Sequence, residues 1–184
     1  MPRWKLAFSK LRIFDETEYS KLVWIDADDI VLQNIDDLFS YPDMSAPPDF
    51  NACTQRADRV SSGIMVVEPK SDKFWKLYDF LEESDQAKNI HNDQDLINAV
   101  FEKKTILPEE YGPFVERCHC LNAIPMSEAK TGQFNDAKPW DMKWWDSYKS
   151  YDTSNCRYRY FLEWVKHFEK ATMKSIDSIQ EFLL

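Results

Sequence analysis

Two short apolar runs do most to define the fold class of this chain. The runs Leu22–Ile25 and Ile64–Val67 each have the length of one buried strand, and each ends at polar or turn-forming residues. Elsewhere apolar residues recur at helical spacing, for example at Leu96, Ile97 and Val100. Strands that alternate with helices predict an α/β fold with a mainly parallel sheet flanked by helices.

The same patterns predict further elements and their caps. Ser71 and Asn92 are expected to cap two of the helices, and Asn34 a short helix after the first strand. Residues 112–156 show no clear period and are expected to be rich in loops. Helical spacing predicts four helices, over about residues 6–18, 71–81, 92–101 and 160–168. The apolar pattern predicts one more strand at Thr105–Leu107.

Composition excludes several classes of function. A formal charge of −9 argues against binding nucleic acid, whose phosphates require a basic face. Only three glycines are present, and their positions cannot form a Walker loop or a G-x-G-x-x-G turn. The seven tryptophans can serve core packing or act as stacking platforms for flat ligands such as sugars. The chain therefore lacks the common glycine-rich nucleotide cradles.

Cysteine spacing and hydropathy give an expected location. The four cysteines, Cys53, Cys118, Cys120 and Cys156, lack the spacing of common zinc sites. The chain shows no signal peptide at its start and no apolar stretch approaching the ~20 residues that span a membrane. These features predict reduced cysteines in a soluble, cytoplasmic protein.

The strongest candidate for a site is the sequence WIDADDIV at residues 24–31. Asp26 and Asp28 lie on the same side of an extended chain, because side chains alternate along a strand. Two charges ~4 Å apart repel by about 4 kcal/mol at an effective dielectric of about 20, and a divalent cation would relieve that repulsion. An acidic turn, with Asp28 or Asp29 capping backbone amides, is the alternative. A haloacid dehalogenase-type phosphatase is set aside because its later Gly-Asp element is missing.

Five segments resemble, in the right order, motifs of glycosyltransferase family 8, the glycogenin-like family: residues 10–39, 45–49, 61–67, 92–98 and 138–140. The first contains the D-x-D motif and the second a proline loop. The third is similar to an Asn-Ser-Gly strand, with Ser61 in place of asparagine. The fourth resembles an Asp-Gln helix start and the fifth a Lys-Pro-Trp sequence.

The resemblance also implies how the chain is organised. Residues 1–184 would form a single, partial family 8 domain with its core motifs in residues 5–140. Residues 141–184 would be an aromatic-rich helical extension. Only nine residues precede Lys10, whereas in the family about a third of the domain precedes the matching lysine. We therefore expect a fold truncated at its amino terminus, with little activity of its own and an open sheet edge that favours a homodimer.

The resemblance implies a GT-A fold and a retaining glycosyltransferase that moves a hexose from a UDP-sugar to a carbohydrate or protein acceptor. Manganese, with magnesium as the alternative, would neutralise the charge that builds on the departing UDP. A catalytically degenerate relative that binds a sugar or a partner is the rival hypothesis. The matching positions give Asp26, Asp28 and Gln133 as metal ligands, Asp93, Gln94 and Lys10 as catalytic residues, and Lys138, Ser62, Gly63 and Asp49 as substrate-binding residues.

Several of these assignments have a structural alternative. Asp93 can stabilise an oxocarbenium-like sugar or bind its hydroxyls, but it can also cap a helix. Lys10 and Lys138 can approach the phosphates or simply lie along the surface. Gln133 stands where the family has a histidine ligand, and an amide oxygen holds manganese more weakly than imidazole does.

Overall fold

The structure is a computed structural model that describes residues 3–49, 59–141 and 154–175. Its strands are β1 Leu22–Ile25, β2 Asp29–Val31, β3 Ser45–Ala46, β4 Ile64–Val67, β5 Thr105–Ile106 and β6 Thr131–Gln133. Its α-helices are α1 Ser71–Glu83, α2 Asp93–Val100 and α3 Cys156–Thr172. Segments of 3-10 helix span Arg3–Asp15, Asp36–Ser40, Asp85–Asn89 and Val115–Arg117.

The main sheet has the strand order β1-β4-β3-β5. β4 is antiparallel to β1 and β3, and β3 is parallel to β5. Strands β1, β3 and β5 therefore run in one direction, which agrees with the predicted mainly parallel α/β sheet. Most hydrogen-bonded pairs are nevertheless antiparallel, because the single reversed strand lies inside the sheet. A second, two-stranded sheet joins β2 to β6.

β4 is buried on both faces, which explains its unbroken apolar run. Met65 and Val67 pack into a cluster with α1, α2 and the first 3-10 helix, whose members include Phe14. Ile64 and Val66 face the opposite cluster. Alternation along the strand divides these side chains between two layers, and together the layers hold β1 and β4 in place beneath the acidic loop.

The β2–β6 sheet packs against α3 through a third cluster. Ile30, Phe134 and Tyr160 are almost completely buried there. Gly132 allows the close approach, because a Cβ atom at that position would lie 2.5 Å from the Tyr160 ring. This packing fixes the end of β6, where Gln133 lies.

The predicted strands Leu22–Ile25 and Ile64–Val67 are confirmed, and so is the helix after Asn92, which caps α2 by accepting a hydrogen bond from Asp95 N at 2.8 Å. The predicted cap at Ser71 is wrong. Ser71 is the first residue of α1 and donates to Asp15 Oδ1 at 2.6 Å, so tertiary contact replaces local capping. The predicted first helix is a 3-10 helix that ends at Asp15.

The expectation of reduced cysteines is wrong for the described part of the chain. Cys118 and Cys156 form a disulfide that ties the start of α3 to the loop after Val115–Arg117. They are 38 positions apart in sequence, so only the fold brings them together. Disulfides persist mainly in oxidising compartments, so the predicted cytoplasmic location loses its basis. Among the described residues, none of the helices is long and apolar enough to cross a membrane.

Candidate active site

One open cleft of about 350 Å³ collects every residue that the sequence analysis selected. Its walls come from the ends of β1, β4 and β6 and from the start of α2. Such a volume is typical of a pocket for a small ligand. The cleft is lined by Lys10, Asp26, Asp28, Asp49, Ser62, Gly63, Asp93, Gln94, Gln133 and Lys138, together with Ser61, Asn92, Phe114 and Asn135.

Lys10 is the central cation of the cleft and is 8% exposed. Its Nζ lies 2.8 Å from Asp26 Oδ1 and 2.8 Å from Asp93 Oδ2. It also donates to the Ser62 carbonyl at 3.0 Å. A buried ammonium group is stable only when such partners replace water. Lys10 therefore joins the loop after β1, the turn before β4 and the start of α2.

The start of α2 is held in a fixed orientation by the turn before β4. Ser62 Oγ donates to Asp93 Oδ2 at 2.7 Å, and Ser62 N donates to Gln94 Oε1 at 3.1 Å. The Gln94 amide oxygen therefore already accepts a hydrogen bond, and the Gln94 Nε2 group can donate to a ligand in the cleft. Asn92, rather than Asp93, caps the helix. The capping alternative for Asp93 is therefore wrong, and its carboxylate belongs to the Lys10 network.

The second aspartate of the D-x-D motif pairs with a different lysine. Lys138 Nζ forms an ion pair with Asp28 Oδ2 and also donates to the Phe134 carbonyl. Gln133 Nε2 lies 3.4 Å from Asp28 Oδ1 and close to Gly63, where a Cβ atom would come within 2.7 Å of it. Gly63 thus makes room for the Gln133 side chain beside the motif.

Two neighbouring aspartates, Asp26 and Asp29, have a raised pKa, and burial is the main cause in both. Burial raises the pKa of Asp26, although Lys10 acts in the opposite direction. Burial, with the charges of Asp28 and Asp26, raises the pKa of Asp29 well above its usual range. Both Asp29 carboxylate oxygens are buried without a hydrogen-bond partner among the described residues. Asp29 follows Asp28 directly but is not among the residues that line the cleft. A buried carboxylate without a partner is costly, and positive charge near it would lower that cost.

These residues fit a divalent cation in charge and in ligand chemistry. Three carboxylates, Asp26, Asp28 and Asp93, face the two ammonium groups of Lys10 and Lys138 in the cleft, so negative charge is in excess. Carboxylate and amide oxygens are ligands that manganese and magnesium accept. No cluster of three His, Cys, Asp or Glu side chains in the described ranges is already arranged around one point. Asp26 and Asp28 each face a lysine instead.

Asp49 stands at the edge of the cleft. Its backbone N donates to the Arg59 carbonyl at 2.7 Å, and its carboxylate lies 3.3 Å from Arg59 Nε. The same guanidinium group contacts Asp95 at 2.7 Å. Asp49 therefore lines the cleft, but its carboxylate is already shared with an arginine.

Sequence reasoning missed a buried glutamate that supports the site from behind. Glu116 is 6% exposed, and its carboxylate accepts hydrogen bonds from the backbone N of Asn135, Asp136 and Ala137 at 3.0–3.2 Å. These three residues immediately precede Lys138. No local sequence signal marks Glu116, because its partners lie about 20 positions away.

Comparison with known proteins relates the chain to sugar transferases. It is 39% identical over 94 residues to the putative UDP-glucuronate:xylan alpha-glucuronosyltransferase 3 of Arabidopsis thaliana, a match covering 51% of the chain and 14% of that protein. It is 35% identical over 111 residues to Glycogenin-1 of Caenorhabditis elegans, covering 60% of the chain and 24% of that protein. The chain thus spans a quarter or less of these relatives. The sequence matches no model of a protein family.

Solved structures agree on the fold. The glycosyltransferase GlyE of Streptococcus pneumoniae superposes with a TM-score of 0.60 over 85% of the chain and 46% of its own length, at 19% sequence identity. LgtC in complex with donor and acceptor sugar analogs gives a TM-score of 0.52 at 14% identity. These likenesses establish the GT-A fold of the described region.

Proposed function

Because this chain is a member of glycosyltransferase family 8, we propose that its cleft binds a UDP-sugar and a divalent cation and transfers a hexosyl group to an acceptor with retention at the anomeric carbon. Among the relatives named above, the Arabidopsis thaliana protein is named as a UDP-glucuronate:xylan alpha-glucuronosyltransferase, and the Caenorhabditis elegans protein is named Glycogenin-1. The donor sugar and the acceptor of this chain belong to the proposal.

One observation carries the proposal: a buried lysine links the D-x-D motif to the start of α2. Lys10 contacts both Asp26 and Asp93 at 2.8 Å. A cluster with more carboxylates than ammonium groups suits a ligand that brings its own phosphates and a cation. On a solvated surface the same ion pairs would contribute little to the free energy of unfolding, so their burial in a cleft favours a role in binding a ligand.

Each group has a chemical task in this scheme. Asp26, Asp28 and the Gln133 amide oxygen would hold the cation, which would neutralise the charge on the departing diphosphate. Lys10 and Lys138 can move from carboxylate to phosphate oxygens and bind the leaving group. Asp93 and the Gln94 amide, held by Ser62, can face the sugar ring and stabilise positive charge at its anomeric carbon. Ser62 and Gly63 allow the donor to approach the backbone.

Titration calorimetry with UDP and manganese tests this proposal. We expect UDP to bind in the presence of manganese and much more weakly without it, since the cation bridges carboxylates and phosphates. The double variant Asp26→Asn/Asp28→Asn should lose the manganese-dependent binding. Asp36→Asn/Asp37→Asn, on the nearby 3-10 helix, is a control with the same charge change. Equal affinity in the two double variants would contradict the proposal.

The replacement of the family's histidine by Gln133 supports a second candidate, a degenerate relative that binds a sugar or a partner without turnover. A weaker ligand would lower cation affinity and slow the departure of UDP. Release of UDP from UDP-glucose, UDP-galactose and UDP-glucuronate distinguishes the two. Manganese-dependent UDP binding without release would favour the degenerate relative.

A further inference from the structure

The open cleft of about 350 Å³, which we call the donor cleft, has two chemically different sides. On one side Lys138 pairs with Asp28 next to Gln133, and these groups suit a diphosphate with a cation. On the other side the start of α2 contributes Asp93 and Gln94, the groups proposed to face the sugar. The residues around the start of α2 therefore decide which sugar the site accepts.

Asp49 lies on the α2 side of the donor cleft. Its backbone N donates to the Arg59 carbonyl at 2.7 Å, and its carboxylate lies 3.3 Å from Arg59 Nε. Arg59 Nη2 in turn lies 2.7 Å from the carboxylate of Asp95, in the first turn of α2. One guanidinium group thus holds Asp49 near the same turn of helix that carries Asp93.

The α2 side of the donor cleft has more negative than positive charge. Among the described residues that line this cleft, the cations are Lys10 and Lys138, and in the proposed scheme both bind the diphosphate. Arg59 is not one of the lining residues, and two carboxylates, those of Asp49 and Asp95, share its single positive charge. The groups around the sugar therefore provide acceptors and amides rather than a cation.

The substituent at C6 distinguishes two classes of UDP-sugar by charge. A hexose carries a hydroxymethyl group there, which donates and accepts hydrogen bonds, whereas a uronic acid carries a carboxylate, which is ionised at neutral pH and only accepts. The carboxylates of Asp49 and Asp93 can accept hydrogen bonds from sugar hydroxyls, but they repel a further carboxylate. A site can discriminate between two substrates by such a repulsive contact with one of them.

We propose that the donor of this chain is a UDP-hexose with an uncharged sugar, not a UDP-uronic acid, and that Asp49 determines this specificity. This inference rests on the proposed transferase function, because it names the substrate class of the same site. It sets the chain apart from the Arabidopsis thaliana relative, which is named for UDP-glucuronate. The Asp49 carboxylate accepts hydrogen bonds from the sugar hydroxyls and excludes a carboxylate at C6.

Titration calorimetry on the full chain with manganese tests this proposal with two pairs of donors, UDP-glucose with UDP-glucuronate and UDP-galactose with UDP-galacturonate. Within each pair the sugars differ only in the group at C6. In the pair that binds more tightly, the hexose donor should bind about tenfold or more tightly than the uronic acid donor.

Two variants locate the source of this preference. Asp49→Asn removes the charge and keeps the size of the side chain, so it should reduce the preference about fivefold, mainly by strengthening the binding of the uronic acid donor. Asp95→Asn is the matched control, because it removes the same charge from the other partner of Arg59 and Asp95 does not line the donor cleft. The preference for the hexose donor should persist in this control.

The outcomes separate this proposal from the transferase proposal. Uronic acid donors that bind as tightly as the hexose donors would overturn the inferred substrate class. A preference that is unchanged in Asp49→Asn, or that falls equally in Asp95→Asn, would overturn the role of Asp49. UDP with manganese is measured on the same samples: failure of UDP to bind would contradict the transferase function itself, whereas UDP binding without a preference for the hexose would contradict only this inference. Urea unfolding of each variant confirms that its fold is intact.

Discussion

Replacing Glu116 should loosen the loop that carries Lys138 into the donor cleft. The Glu116 carboxylate accepts three backbone hydrogen bonds, from Asn135 N at 3.1 Å, Asp136 N at 3.0 Å and Ala137 N at 3.2 Å. Arg157 Nη2 donates to the Glu116 carbonyl at 2.8 Å and ties this support to α3. Glu116→Ala removes the three carboxylate bonds and leaves the carbonyl contact in place.

The expected magnitude follows from the number and exposure of these bonds. A hydrogen bond to a charged group contributes about 1.5–3 kcal/mol, so three would give an upper range of about 5–9 kcal/mol. Asn135 and Asp136 are exposed, and water can replace the lost acceptor at their amides. We therefore expect Glu116→Ala to lower the free energy of unfolding by about 3 kcal/mol. Glu116→Gln keeps one acceptor oxygen and should lose about half as much.

Two measurements test this reasoning. Urea unfolding gives the stability change, and calorimetry with UDP and manganese gives the effect on the site. UDP affinity should fall at least tenfold (about 1.4 kcal/mol) in Glu116→Ala and recover partly in Glu116→Gln, since Lys138 would no longer be held at the cleft. Glu128→Ala, which removes the same charge from an exposed position, is the control. A stability loss no larger than that of Glu128→Ala, or unchanged UDP affinity, would refute the positioning role.

Three further variants probe other contacts. Gln133→His should tighten manganese binding at neutral pH, where imidazole is mostly unprotonated, and calorimetry showing equal or weaker binding would mean that residue 133 is not a ligand. Lys138→Met should tighten binding of manganese alone, because Asp28 loses its ion pair, and should weaken binding of UDP; parallel changes in the two affinities would contradict this. Gly132→Ala should cost about 1–3 kcal/mol in urea unfolding, because its Cβ atom would lie 2.5 Å from Tyr160, and an unchanged midpoint would argue against that packing.

The elements around the cleft that the sequence predicted correctly, β1 and the start of α2, are those encoded by contiguous motifs. Asp26 and Asp28 follow an apolar run that has the length of one buried strand, and Asn92 precedes apolar residues at helical spacing. Both signals are local in sequence, so they can be recognised without knowledge of the fold. The resemblance to a family then joined distant motifs, and the ten selected residues do meet in one cleft.

The features that sequence reasoning missed depend on contacts between distant segments. β6 has only three residues, Thr131–Gln133, one of them glycine, and it forms because β2 offers a partner. The Cys118–Cys156 disulfide needs the start of α3 to meet residues 116–118, and the Glu116 support needs the loop before Lys138 to meet the same segment. Residues 116–118 carry no periodic pattern that would indicate either contact.

The placement of the two lysines determines how the donor and the cation would bind. Lys10 and Lys138 occupy the Asp26 and Asp28 carboxylates, so a cation arriving alone must separate both ion pairs and leave the ammonium groups without partners. A diphosphate that arrives with the cation offers those ammonium groups new oxygens while the carboxylates turn to the ion. The cost of breaking each pair is then offset by a new one. Cation and UDP should therefore each raise the other's affinity by the same factor, since coupling between two ligands is reciprocal.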